Sequence, residues 1–272
     1  MINSRKRNKI KHFRTNREGS DSVLKEQRLE TILKLINTHG MVRVSEITEL
    51  LNVTEMTVRR DLQLLEDLGQ VERIHGGAKA VNGFSDKELT HIEKQGINIE
   101  EKQQIARTIA SLIEENDTIF LGPGTTIEYV YDFLTVFPAR IVTNSIHVFN
   151  RFNKNEGYDL ILIGGSYRAR TGAFVGSFAN NTLKKINVKK AFIGANGVHG
   201  NEVYTANEEE GITQSIILDN AHEKYIVADY SKIWGQDFFS FYHLDGVTAL
   251  ITDDQIPEEK KLKLEEFVKV IY

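Results

Sequence analysis

Two stretches of this 272-residue chain carry residue types suited to holding phosphate oxygens. The first is Thr54-Glu55-Met56-Thr57-Val58-Arg59-Arg60, in which hydroxyls and guanidinium groups crowd into two helical turns around a flexible thioether. At the start of a helix, that set can meet DNA phosphates, base edges and thymine methyls in a major groove. The second is Gly122-Pro123-Gly124-Thr125-Thr126, which opens a helix directly after an apolar run. Its glycines let the chain turn tightly, successive backbone N–H groups point inward, and two hydroxyls add donors, so the loop can cradle one anion. It is not a Walker loop, because no Gly-Lys-Ser/Thr follows, nor a dinucleotide fingerprint. The same residues also make an ordinary turn, and the motif alone leaves both readings open.

The elements that position the first stretch follow from apolar spacing. Val44, Ile47, Leu50 and Leu51 recur at helical intervals, Thr54 stands where an N-cap belongs, and Val58, Leu62 and Leu65 continue a second apolar series. Two short helices joined by a tight turn serve either as a DNA reader or as a packing unit with a basic outer face. Val71-Glu72-Arg73-Ile74-His75-Gly76-Gly77-Ala78 favours the reader: it is a strand entering a glycine turn, a wing whose backbone can approach a phosphate while Arg73 and His75 donate to it. Upstream, Leu24, Leu29, Ile32, Leu33, Leu35 and Ile36 form the stripe of a supporting helix that His39-Gly40 closes.

Charge divides along the same line. Residues 1–80 carry 15 Lys and Arg against 11 Asp and Glu, and residues 81–272 carry 19 against 27. A basic small domain tied to an acidic large one fits nucleic acid at one end and a different partner at the other. The domain plan is a basic disordered extension over 1–20, a winged helix-turn-helix over 21–80, a linker with one short helix over 81–98, and an α/β effector domain over 99–272. The extension, with Arg5, Lys6, Arg7, Lys9, Lys11, Arg14 and Arg17, is either an arm for phosphates or a solvated tail. In the linker, Lys87 and Lys94 read as parts of a plain connector more readily than as contacts. The chain has no cysteine, and its eight histidines lack paired spacing, which argues against disulfides and metal. No apolar run approaches the ~18 residues of a membrane span, and no signal-peptide core opens the chain, so a cytoplasmic protein without a membrane partner is expected.

Past an amphipathic helix over 100–115, short apolar runs alternate with helices: 118–121, 141–143, 160–163, 191–194, 225–228 and 249–252. That alternation predicts a mainly parallel sheet covered on both faces, with ligands gathering at the carboxyl ends of its strands. The residues after the strands are small or polar: the 122–126 loop, Thr143-Asn144-Ser145, Gly164-Gly165-Ser166-Tyr167-Arg168 and Gly194-Ala195-Asn196-Gly197. Each by itself is a cap or turn, whereas four on one edge describe a pocket for a polyol phosphate. Glu210, Asp229 and Lys232 can bring charge to that edge; alternatively Glu210 lies on a solvated helix face and Asp229 with Lys232 is a surface pair of little energy.

The stretch Thr54 to Leu62, the run Arg73 to Ala78, Lys87-Glu88, the Gly122 loop and Asp237-Phe238-Phe239-Ser240-Phe241-Tyr242 together resemble DeoR-type sugar-responsive repressors over roughly residues 24 to 254. The resemblance implies a repressor and not an enzyme, with double-stranded operator DNA held by Thr54, Met56, Thr57, Arg59, Arg60, Arg73, His75 and Gly76. It implies an effector domain similar in fold to ribose-5-phosphate isomerase, with a phosphorylated sugar as inducer and no other cofactor. Carried onto that pattern are Gly122, Gly124, Thr125, Thr126, Thr143, Asn144, Gly164, Gly165, Arg168, Gly197, Glu210, Asp229 and Lys232. Relatives suggest tagatose-6-phosphate, from a lactose or galactose pathway. Two wings on a palindromic site imply a homodimer or homotetramer. Two positions depart from the family pattern: Tyr230, where a small residue is usual, and Gly211, where alanine commonly follows the glutamate. The alternative from another class is a sugar-phosphate isomerase with a DNA-binding appendage. It needs a positioned base, and neither Glu210 nor Asp229 has an acid partner at informative spacing. An RNA binder is disfavoured by the lack of an aromatic stacking platform.

Overall fold

The structure, a computed structural model, describes residues 18–39, 41–68, 70–74, 76–80, 88–138 and 140–272. Residues 1–17 of the basic segment, together with His75 and Lys87, lie outside the described residues. The chain divides into two compact units, Met1–Asn82 and Gly83–Tyr272.

In the first unit, helix α1 (Glu18–His39) is followed by strand β1 (Met41–Arg43), α2 (Val44–Leu51), α3 (Glu55–Asp67), β2 (Val71–Ile74) and β3 (Gly77–Ala80). The helix expected from Leu24 thus starts at Glu18. Asn52 ends α2 in the left-handed conformation (φ 50°, ψ 46°), and Thr54 caps α3 by accepting a hydrogen bond from the Thr57 N–H at 3.3 Å. Ile32, Ile36, Ile47, Val58, Leu62 and Leu65 close the core between the three helices. The three strands form an antiparallel sheet in the order β1-β3-β2. Strand β1 was not foreseen from its three residues, and it explains the second glycine of the wing. A Cβ at Gly77 would sit 2.3 Å from the Val42 carbonyl oxygen, whereas Gly76 has open space and φ +82°. One glycine therefore lets the strands close and the other turns the wing.

The second unit runs α4 (His91–Gln95), α5 (Ile99–Leu112), β4 (Thr118–Leu121), α6 (Thr125–Glu128), α7 (Val130–Phe133), β5 (Arg140–Thr143), α8 (Ile146–Phe152) and β6 (Leu160–Leu162). There follow β7 (Ser166–Arg168), β8 (Ala173–Val175), α9 (Gly176–Leu183), β9 (Val188–Gly194), β10 (Gly197–His199), β11 (Glu202–Thr205) and α10 (Glu208–Asp219). It ends with β12 (Ala221–Val227), β13 (Phe239–His243), β14 (Ala249–Ile251), α11 (Glu258–Glu265) and β15 (Val270–Ile271). Seven strands make one sheet in the order β15-β14-β12-β9-β4-β5-β6, all pairings parallel. Successive side chains of a strand alternate between its faces, and both faces are buried. Ile119 and Leu121 join the core beneath α5 to α8, while Phe120 joins the one beneath α9, α10 and α11. The mainly parallel α/β architecture read from the sequence is the observed one. The hairpin β7-β8 and the antiparallel sheet β10-β11-β13 were not foreseen, because their three- to five-residue strands carry too few apolar positions to show a period.

Candidate functional site

Helix α3 presents its first two turns outward because its apolar positions face the core. Met56 is 61% exposed, Arg59 and Arg60 are exposed, and Thr57 is half-buried. The cations of this face differ in what holds them. Arg59 pairs with Glu55 one turn away at 3.3 Å, and Arg73 on the wing is turned back onto α3, bonded to Gln63 with Glu66 at 3.9 Å. The Arg60 guanidinium makes no hydrogen bond or ion pair with any described residue and is the readiest to take a new partner. Asp61, the next residue of the motif, has the opposite role. Its buried carboxylate takes both the Nε (2.5 Å) and an Nη (3.1 Å) of Arg28, which fixes α3 against α1 and so aims the outer face.

At the carboxyl ends of the central strands of the parallel sheet lies a cleft of about 870 Å³, counting the part open to solvent. Six predicted positions line it: Gly124, Thr125, Thr126, Glu210, Asp229 and Lys232. The loop before α6 turns at Gly124 with φ +150°, a conformation L residues rarely adopt. The helix behind the loop differs from expectation. Instead of the one continuous helix that the loop was expected to open, the chain forms the four-residue pieces α6 and α7, so little helix dipole supports an anion there.

Cationic charge at this edge comes from lysines instead. Lys94 on α4, Lys102 on α5 and Lys232 after β12 all line the cleft. Lys94 Nζ donates to Asn196 Oδ1 at 3.1 Å and Lys102 Nζ to the Lys94 carbonyl, while the Lys232 ammonium makes no hydrogen bond or ion pair with a described residue. Burial holds the Lys94 ammonium below its ordinary value, and Lys232 pushes it the same way. Burial brings Lys102 down to about 8, helped by Lys232 and Lys94 and opposed by Asp229. Lys94 and Lys102, each held down by burial and by the nearby charge of Lys232, form in a partly dry cleft a site that a multiply charged anion would relieve.

Facing them are two carboxylates held in place by neighbours. Asp229 accepts from Asn98 Nδ2 and the Ser231 N–H, each at 3.1 Å. Glu210, raised by burial, accepts from Thr171 Oγ1 and from Arg168 at 3.2 Å. Arg168 does not line the cleft; it links Glu210 to Glu88. The remaining predicted residues also stand outside the cleft lining. Thr143 Oγ1 donates to the Leu121 carbonyl at 2.6 Å, tying two strand ends, and Asn144 Nδ2 donates to the Phe174 carbonyl at 2.9 Å. Gly122, Gly165 and Gly197 admit close backbone neighbours, with a Cβ 3.2 Å from Phe192 O, 2.6 Å from Val175 O and 2.5 Å from Gly235 O. Gly164 is exposed. The glycine at 211 has a local reason as well: a Cβ there would meet the Phe239 ring at 2.5 Å. Tyr230 donates its backbone N–H to Asp253 Oδ2 at 2.7 Å.

Sequence reasoning passed over Lys94, Lys102, Thr205, Thr171, Gln214 and His91, all of which line the cleft. Lys94, read as part of a connector, is placed by its helix. Thr90 and Glu93 form a capping box at the start of α4, and buried His91 fixes that turn by donating its backbone N–H to the Arg170 carbonyl at 2.8 Å while its ring Nε2 bonds Glu128. The T-x-x-E spacing was the signal available for it. Among the described residues, no cluster of ligands suited to a metal ion occurs, and no helix is long and apolar enough to cross a membrane.

An outward-facing recognition helix with a wing, and a parallel sheet with lysines gathered at its ligand edge, define a DNA-binding regulator with a small-molecule sensor. Residues 28–83 match the DeoR-like helix-turn-helix domain and residues 97–254 match the DeoR C terminal sensor domain, and the chain belongs to the DeoR family. The lactose phosphotransferase system repressor of Streptococcus mutans is 47% identical over 249 residues, covering 91% of this chain and 99% of its own. The protein of the same name from Staphylococcus epidermidis is 44% identical over the same shares. Among solved structures, ribose 5-phosphate isomerase A of Methanocaldococcus jannaschii is similar at 20% identity and a TM-score of 0.36, over 50% of this chain and 54% of that one.

Proposed function

We propose that this protein represses a lactose- or galactose-utilisation operon in the cytoplasm and leaves its operator when a phosphorylated sugar, tagatose 6-phosphate, fills the cleft of the second unit. The observation that carries the reading is the joint presence, in one chain, of the exposed Arg60 face and the cleft where Lys94, Lys102 and Lys232 meet. Relatives at 47% and 44% identity are named as lactose phosphotransferase system repressors, which supports the choice of sugar pathway. An isomerase is not favoured, since those relatives are named as repressors and align over 99% of their own length.

In mechanism, α3 enters the major groove and the wing follows the backbone, with two copies on a palindromic site. The phosphate of the inducer is neutralised by the three lysines and the Gly124–Thr126 loop, and its hydroxyls meet Glu210 and Asp229. Linkage requires the sugar to bind the DNA-incompetent state more tightly and DNA to weaken the sugar by the same factor. The test is fluorescence anisotropy of the full chain on its upstream DNA, titrated with tagatose 6-phosphate, other hexose 6-phosphates and unphosphorylated tagatose. Release by the phosphorylated sugar alone is expected, and a DNA complex unmoved by every sugar phosphate would remove the regulatory half.

A further inference from the structure

Among the polar side chains of the cleft, Gln214 stands apart. It lies on α10 one turn beyond Glu210, lines the same cleft and is only 5% exposed, yet its Oε1 has no hydrogen-bond partner among the described residues. Other polar residues of the cleft are engaged: Asn196 donates its Nδ2 to Asp237 at 3.0 Å and accepts from Lys94 at its Oδ1, Thr171 bonds Glu210, and Asp229 is held by Asn98 and Ser231. A buried carbonyl oxygen left unpaired is costly, and in a native site it marks where a donor is due.

An oxyanion cannot be that donor. A phosphate dianion offers acceptors alone, which suit Lys232 and the Gly124–Thr126 loop but leave Gln214 Oε1 unpaired. A hydroxyl offers both a hydrogen and lone pairs. If the carboxamide is turned the other way round, so that its –NH₂ occupies the buried position, either a hydroxyl or a phosphate oxygen pairs with it, and inorganic phosphate as a probe separates the two. We infer that Gln214 is a specificity-determining residue that hydrogen-bonds a hydroxyl of the ligand, so that the cleft demands a hydroxylated carbon skeleton as well as a phosphate. The inference rests on the sugar-phosphate reading above and adds to it the group that tells one sugar from another.

The test is isothermal calorimetry on the full chain with three probes: inorganic phosphate, D-tagatose 6-phosphate and D-fructose 6-phosphate, the last two differing only in the configuration of one ring hydroxyl. Gln214→Met keeps the bulk and removes the amide. It is expected to weaken the hexose phosphates by about tenfold or more and shrink the discrimination between them, while leaving inorganic phosphate within about twofold of the wild type. Because the side chain satisfies no group among the described residues, the ligand-free melting temperature should not fall. Gln214→Asn, which keeps the amide but withdraws it by one methylene, should lose the same preference and serves if the first variant does not fold. Equal losses for all three probes, or undiminished hexose phosphate binding, would overturn the hydroxyl role. A wild type that binds none of the three would instead overturn the sugar-phosphate reading, so the two failures are distinguishable.

Discussion

The two units handle positive charge in opposite ways. In the first, Arg59 and Arg60 stand in water on the outside of α3. In the second, Lys94 and Lys102 are drawn into a cleft where burial and the field of Lys232 hold them below the ordinary lysine value. A long, regular polyanion can be met from outside, because counterion release supplies affinity without burying the cations. A single small anion has to be enclosed, so its cations are gathered and desolvated beforehand, and the stress among them is released when it binds. Exposed charge thus suits a partner with many phosphates, and enclosed charge a partner with one.

The largest expected effect tests whether the units are separable at all. Asp61→Ala leaves Arg28 without its bidentate partner between α1 and α3 and should destabilise the first unit by about 3 kcal/mol. In a calorimetric scan the stabilisation of the second unit by added sugar phosphate should persist. If both transitions fall together, the comparison of two independent units breaks down.

Next in size is the loss of an exposed cation. Arg60→Ala should weaken operator binding by about 1–3 kcal/mol if the side chain reads a base, with the loss confined to certain base pairs. If it meets a phosphate, the loss should be uniform across sequences and the log–log salt slope shallower by about 1. Arg59→Ala, which removes a group already paired with Glu55, should cost less than Arg60→Ala. The reverse order, measured by anisotropy at several salt concentrations, would mean that freedom from local partners does not mark the stronger contact.

The smallest effect sharpens the contrast in ionisation. Lys102 has an ordinary value of 10.5 in the unfolded chain and about 8 in the folded one. Between those two values the unfolded chain binds more protons, so this group makes the ligand-free protein more stable as pH rises from about 8 toward 10.5. The penalty of the buried charge is fully present below about 8. Denaturant unfolding of the wild type and Lys102→Met should therefore show the wild type gaining on the variant across that window, and the gain should vanish once a phosphorylated ligand is bound. A difference independent of pH would show that the amine is not under stress.

The same contrast decides what could be read from the sequence. Reader, turn and wing fall within about thirty consecutive residues, where apolar spacing, the Thr54 cap and the glycine turn each have a local cause. The sheet was legible for a similar reason, since strands buried on both faces are continuous apolar runs. The cleft was legible only in part. The Gly124 loop and Asp229 follow strands and sit where the topology sends them, but Lys102 occupies an ordinary position on an amphipathic helix and Gln214 a polar position in another. Nothing in their neighbours' spacing marks a lysine that faces a cleft 130 residues along the chain at Lys232. Thr143 shows the converse error: it ends a strand at the ligand edge, yet its hydroxyl is spent on the Leu121 carbonyl.

The order of the parallel sheet has a consequence for how the chain is born. Strand β4 lies between β5 and β9, with Ile119 opposite Ile141 on one side and Lys190 on the other. The first neighbour is made soon after β4 itself, but the second emerges about seventy residues later, on the order of ten seconds at ordinary rates of protein synthesis. Through that interval the strand that leads into the Gly124 loop has one edge of backbone N–H and C=O groups with no strand to pair with. The reading unit, whose strands and helices all lie upstream, can meanwhile complete its fold, so the nascent chain gains its DNA-reading surface before it has a sensor to restrain it.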